Sequence, residues 1–303
     1  MARVDVSVLV SGVPRLFGDD LGAIVDLARM ADDAGIDQLV LPDHVIMGPR
    51  TDRYPFGTFP YPPEAPWPEP LTTLAAMAAA TTRVRLGTGI LIVPLRPAVL
   101  LAKTAATLDV LSRGRLDLGV GTGWQREEFE AEGLDYSARV RTMDDTLRAC
   151  RALWTQPGPV HFESPTLSFR DVWCEPRPVQ PGGVPLWFGG SAVPATARRI
   201  AELGAGWLPI GVMPEDELGA AIELLRGALR DAGRDPSELG VRSGLPVVTG
   251  ADKRVDFDAT WAPVPALASL GVTAVSIPLG RFLRTRADVE PFFRDLAAAA
   301  GAA

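Results

Sequence analysis

The feature that most constrains this chain is a repeated alternation of short apolar runs with longer stretches of helical period. Val4–Val10 alternates and then runs apolar, as a strand entering a core does. Asp19 or Asp20 can cap a helix with Leu21, Ile24, Val25, Ala28 and Ala31 on one face, and Gly35 supplies its left-handed stop. The same pairing returns along the chain. Strand runs at 39–41, 84–93, 116–120, 184–188, 207–210, 241–248 and 272–277 follow the first. Helical patterns at 71–80, 97–111, 138–154, 194–203, 214–231, 264–270 and 287–300 lie between and after them. Eight buried strands, each followed by a crossover helix, predict a parallel sheet, and eight is the number that closes a (β/α)8 TIM barrel. A doubly wound open sheet is the competing arrangement. Its glycine fingerprint after the first strand is missing, because that position reads Ser11-Gly12-Val13-Pro14.

The 303 residues fit one such barrel over 1–303 with two insertions. The first, near 45–70, is Pro-rich without helical period, and the second, 157–183, is rich in Pro and Gly. Loops of this length in a compact domain usually serve function. The net charge of −7 argues against a general nucleic-acid binder. No apolar run approaches a membrane span, and no signal-peptide core opens the chain, so the expected location is cytoplasmic. Two cysteines and two histidines are too few for a disulfide scaffold or a Cys- or His-rich metal site.

In such a barrel the chemistry sits where the strands end. The second strand ends Leu41-Pro42-Asp43-His44, placing a carboxylate beside an imidazole that titrates near neutrality. That pair suits a proton donor, and equally a polar loop entrance. The third strand carries Gly87 and Gly89, which mark either a close ligand approach or a bend at a barrel corner. The fourth ends Gly119-Val120-Gly121-Thr122-Gly123-Trp124. The fifth ends Phe188-Gly189-Gly190-Ser191 just before a helix at Pro194, whose free amides and dipole make an anion site. Simple capping by Ser191 would account for the same residues.

These segments, with Arg85–Ile90, Leu111–Trp124 and Gly189–Trp207, resemble the luciferase-like monooxygenase superfamily. They are most similar to its branch of oxidoreductases dependent on the deazaflavin coenzyme F420. The resemblance implies a cofactor at the C-terminal mouth of the barrel, F420 or alternatively FMN used with molecular oxygen. It implies His44 and Asp43 as catalytic, with Asp43 also at the cofactor, and Thr88, Gly89 and Ile90 as the bulge behind the ring. Thr122, Gly123 and Glu127 would flank the ring and its side chain. Gly190, Ser191 and Ala192, with Thr196 near, would hold the phosphate. The sugar-phosphate dehydrogenases of the superfamily carry a glutamate where this chain has Trp124, which argues against that substrate class. Trp124, Tyr54 and Trp67 are expected instead to wall a pocket for a small apolar or planar substrate, with 45–70, 157–183 and 249–260 shaping it. The resemblance also implies a homodimer, and a non-catalytic flavin-binding barrel is the reading from another class.

Overall fold

The computed structural model describes residues 3–251 and 253–302. Eight parallel strands close on themselves: β1 Asp5–Leu9, β2 Gln38–Leu41, β3 Arg85–Thr88, β4 Leu116–Gly121, β5 Leu186–Gly189, β6 Gly206–Leu208, β7 Gly240–Gly244 and β8 Ala274–Pro278. Closure is made where β1 pairs with β8 and where β3 pairs with β4, through Leu86–Leu116 and Gly87–Asp117. Helices surround this ring, and the arrangement is the (β/α)8 barrel that the alternating pattern predicts.

Period-two alternation divides each strand between two environments. Val6 and Val8, Leu39 and Leu41, Leu116, Leu118 and Val120, and Leu186 and Phe188 join the helices' apolar residues in one buried cluster. Helix Ala23–Ala34 contributes Ile24, Leu27, Ala28 and Ala31 to it, and Gly35 ends that helix in the left-handed region at φ 80°. The intervening strand positions turn inward and are mostly polar or small, with Val40 and Trp187 as the bulky ones. Ser7, Gln38, Asp117 and Arg242 meet there in one hydrogen-bonded network. Arg115 closes the base below, donating to the Val84, Ala78 and Thr81 carbonyls and to Thr81 Oγ1.

Three local features depart from the pattern. The third strand, expected as one run over 84–93, breaks at Gly89, and the Gly89–Ile90 peptide is cis. The chain rejoins as the pair Leu91–Ile92, which lies beside Val120 and Gly121 of β4. The glycine density of β4 and β5 is explained by packing against this break. A Cβ on Gly121 or Gly189 would strike the Ile90 side chain, and one on Gly119 would overlap the Thr88 carbonyl oxygen. The insertion 157–183 is not wholly irregular, since Val160–Glu163 and Ser168–Val172 form an antiparallel hairpin that carries the exposed His161. A short helix, Arg126–Ala131, follows β4 where no element was expected. In the turn 249–260, Thr249 bridges Val255, and Asp252 lies outside the described residues. No helix among the described residues is long and apolar enough to cross a membrane.

Gly119→Ala is therefore expected to lower stability by about 1–3 kcal/mol through overpacking. Gly219→Ala, at a half-buried position of helix Glu215–Asp231 where a Cβ meets only Leu270 at an ordinary contact distance of 3.5 Å, should raise it by about 0.5–1 kcal/mol. Urea denaturation of the two variants checks both signs.

Candidate active site

His44 leaves the end of β2 and is 7% exposed. Its Nδ1 lies 3.3 Å from Oε2 of Glu128, whose other oxygen accepts the Val45 amide at 2.8 Å. Glu128 is fully buried and comes from the short helix after β4. The imidazole is thus fixed through Nδ1, which leaves Nε2 for another partner. The sequence reading gave the carboxylate beside His44 to Asp43, and the structure corrects this. Asp43 turns to the other side of the backbone, where its Oδ2 accepts the Ile92 amide and Arg96 Nη1, both at 2.7 Å. Oδ1 takes Arg96 Nη2 at 3.0 Å. A carboxylate engaged by a guanidinium fork and an amide has little left to offer an imidazole.

Arg96 extends the same chain of contacts to Glu69 at 2.9 Å, and Glu69 caps helix Pro70–Ala80 through the Thr72 amide. Burial raises the Glu69 pKa, but the Thr72 amide and Arg96 outweigh it and hold the carboxyl below its ordinary value. The proline-rich loop is therefore anchored at both ends to the barrel mouth. At its start the Gly48 amide donates to Gln125 Oε1 at 3.0 Å.

Aromatic side chains of this loop, with Trp124 from the segment after β4, close over His44. Ring centroids of Trp67, Phe59 and Trp124 lie 4.8, 5.7 and 5.9 Å from the imidazole, and Tyr54 packs on Phe59 and Trp124 at 5.2 and 5.3 Å. Phe56 is the outermost of them and 51% exposed. Trp67 Nε1 is buried with no hydrogen-bond partner among the described residues. The Trp124 carbonyl accepts the Tyr136 hydroxyl at 2.9 Å, which fixes the loop after β4. Beyond Trp124 a cavity of about 220 Å3 is lined by Arg53, Gln125, Arg126, Glu127 and Tyr136.

The remaining expected residues fall into three groups. Thr88, Gly89 and Ile90 lie at the broken third strand, where Thr88 Oγ1 is spent on the Gly119 carbonyl at 2.7 Å. Thr122 and Gly123 are half-buried at the end of β4, while Glu127 packs against Gly48 and reaches Arg53 at 4.0 Å. At β5, the Gly190 amide donates to the Leu208 carbonyl at 3.1 Å and so is not free for an anion. The amides of Ser191 and Ala192 make no hydrogen bond among the described residues, and no side chain caps helix Pro194–Leu203. Gly190, at φ 133°, faces open space where a Cβ would stand. This end of β5 fits an anionic group, with Ser191 exposed and Thr196 buried beside it. Among the described residues no cluster of His, Cys, Asp and Glu could hold a metal ion.

Glu128 and Arg96 were not singled out from the sequence as site residues. Acidic residues in a helix's first turn are a recognisable signal, but which of Glu127 and Glu128 faces inward depends on where that helix begins.

A barrel with a buried histidine–carboxylate pair at its mouth defines a class, and comparison with known proteins gives the family. The sequence profile of the luciferase-like monooxygenases matches residues 3–287, and the chain belongs to this family of oxidoreductases. An uncharacterized protein of Mycobacterium tuberculosis is 30% identical over 272 residues, covering 86% of this chain and 88% of its own. The phthiodiolone/phenolphthiodiolone dimycocerosates ketoreductase of the same organism is 30% identical over 206 residues, 67% of this chain and 54% of its own length. Among solved structures, monooxygenase RslO1 from Streptomyces bottropensis superposes with TM-score 0.74 at 22% identity, over 98% of each chain. The coenzyme F420-dependent tetrahydromethanopterin reductase of Methanopyrus kandleri does so with TM-score 0.67 at 17% identity, also over 98% of each chain. These two share the fold.

Asp43→Asn leaves Arg96 with a weakened partner in a buried setting. A loss of about 3–5 kcal/mol of stability is expected, as for breaking a buried ion pair, measured by chemical denaturation. Glu69→Gln, at the exposed end of the same chain of contacts, should cost at most about 1 kcal/mol.

Proposed function

We propose that this chain is an oxidoreductase that interconverts a ketone and an alcohol with coenzyme F420 as its hydride carrier. The single observation that carries the reading is the His44–Glu128 pair. It is a titratable donor fixed through one ring nitrogen, buried beneath an aromatic cover, with its second nitrogen free. The 30% identity to a ketoreductase supports the carbonyl substrate, and the similarity of fold to an F420-dependent reductase supports the cofactor. The end of β5 has the donor chemistry a phosphate needs: unpaired amides at Ser191 and Ala192, an uncapped helix N-terminus and an open cradle at Gly190.

When bound, F420 supplies or accepts the hydride at the substrate carbon. The protein does the rest. Ser191, Ala192 and the first turn of helix Pro194–Leu203 would hold the phosphate, with Gly190 leaving room for it and Thr196 beside it. Thr88, Gly89 and Ile90 would back the ring, while Thr122, Gly123 and Glu127 would border it. Asp43 acts on the site by fixing Arg96 and the Ile92 amide behind that bulge. His44 Nε2 donates a proton to the carbonyl oxygen as negative charge develops there, and Glu128 stabilises the cation before transfer. Trp124, Tyr54, Phe59 and Trp67 exclude water and favour an apolar or ring-bearing ketone. Two copies of the chain form the working unit.

His44→Ala is expected to lower turnover by roughly 10²–10⁴-fold with cofactor affinity little changed. Ser191→Asp should do the reverse, weakening F420 binding by setting like charge against the phosphate. Anaerobic titration with F420 and with FMN, followed by turnover on ketone substrates, tests the reading. Binding of FMN alone, with oxygen consumption, would replace it by a flavin monooxygenase. Binding of a cofactor without turnover of any substrate would leave a flavin-binding barrel.

A further inference from the structure

The interior of the barrel holds a charge that proton delivery at its mouth does not use. Arg242 projects from β7 and is 7% exposed. Its guanidinium donates to Gln38 Oε1 at 2.6 Å and to Ser7 Oγ at 3.3 Å, and reaches the Thr88 carbonyl at 3.5 Å. Every one of these acceptors is neutral. The network's carboxylate, Asp117, stands one step away. It accepts Gln38 Nε2 at 2.7 Å and gives both oxygens to Arg85 at 2.7 Å. On the β5 side the indole of Trp187 lies 5.8 Å from the guanidinium carbon, and its Nε1 is buried without a hydrogen-bond partner among the described residues.

Burial lowers the Arg242 pKa to about 10, with Asp117 opposing the shift, so the group is charged at neutral pH. A buried cation held only by neutral acceptors is costly to keep. A glutamine could supply two donors to Gln38 and Ser7 without the charge. Position offers a reason for the charge. Nη2 lies 3.5 Å from the point where a Cβ on Gly89 would stand, so the guanidinium sits directly beneath the Gly89–Ile90 segment. Gly89 has no side chain to come between them.

We propose that Arg242 is an electrostatic positioning residue, whose buried charge beneath Gly89–Ile90 favours the hydride-loaded form of the bound ring over the oxidised form. This rests on the placement of the ring against that segment given above. A hydride brings one hydrogen nucleus and two electrons, so its arrival adds one unit of negative charge to the ring system until a proton follows. The substrate alcohol carbon that gives up the hydride is oxidised, and the ring is reduced. A fixed cation in a water-poor interior acts on that added charge with little screening and no reorganisation. Asp117, through Gln38, tempers the same field. The two residues therefore work with opposite signs on one equilibrium.

The readout is the ratio of dissociation constants for oxidised and reduced cofactor, obtained by anaerobic fluorescence titration of the full chain. Arg242→Met removes the charge and is expected to cut the preference for the reduced form roughly tenfold, equivalent to a fall of about 30 mV in the bound two-electron potential. Arg242→Lys, which keeps the charge, should retain most of the preference. Asp117→Asn should shift the ratio the other way, toward the reduced form. A purely structural role for Arg242 would weaken both forms alike and leave the ratio at its wild-type value, which overturns the proposal. Should Arg242→Met fail to fold, an unchanged ratio in Asp117→Asn overturns it equally. A wild-type protein that binds neither F420 nor FMN overturns the reading of the site, and this inference with it. Wild-type binding with unmoved ratios removes this inference alone.

Discussion

The mouth of this barrel depends on one carboxylate. Glu128 has no solvent exposure and receives the His44 ring on one oxygen and the Val45 amide on the other. A buried carboxylate is tolerated only when donors replace the lost water, so burial here enforces the contacts. They tie the end of β2 to the helix after β4, two elements separated by more than eighty residues of chain. With that link made, the imidazole is oriented, the proline-rich loop starts from a fixed point, and Trp124 stands where the loop's aromatic residues can pack on it. Asp43 and Arg96 make the second anchor on the far side of the same turn, and Glu69 carries it to the loop's end. A loop held at both ends and stiffened by proline loses less entropy on closing over a ligand.

The alternation of strands and helices was legible because it follows from burial. A strand packed between helices and a barrel interior shows apolar side chains at every second position, and a helix lying on it shows them every three to four. The glycines were legible as a signal but open in meaning. Gly87 and Gly89 could mark a close ligand approach or a bend, and the structure breaks the strand at Gly89, with Gly119, Gly121 and Gly189 each meeting the backbone or side chain of that break. That break is a long-range fact. It needs Ile90 to reach across to β4 and β5, and no local propensity records such a reach. Gly190 is different in kind, since open space lies where its side chain would be.

The candidate site was less legible for a related reason. Asp43-His44 is a conspicuous pair in the sequence, and adjacency suggests that the two side chains cooperate. Successive residues of extended chain point to opposite sides, so neighbours in sequence tend to be partners of other elements. Asp43 accordingly serves Arg96 and Ile92, and the carboxylate that meets His44 comes from Glu128. Phasing within a six-residue helix decides between Glu127 and Glu128, and that phase is set by where Arg126 begins the turn.

The barrel interior places these observations in one frame. Side chains that usually fill such a barrel are bulky and branched. Here Ser7, Gln38, Asp117 and Arg242 occupy the lower part, and glycines line the strands above them. Polar groups in that position stabilise the fold less than an apolar filling would, because each must be desolvated and then satisfied. Of the aromatic residues, Trp187 stands beside Arg242 in the interior, whereas Tyr54, Phe59, Trp67 and Trp124 gather at the mouth around His44. The molecule thus places apolar bulk around His44 and a fixed charge beneath the Gly89–Ile90 segment. An interior built only for stability would not need the buried guanidinium of Arg242, whereas the glycines of β4 and β5 are what let Ile90 pack across them.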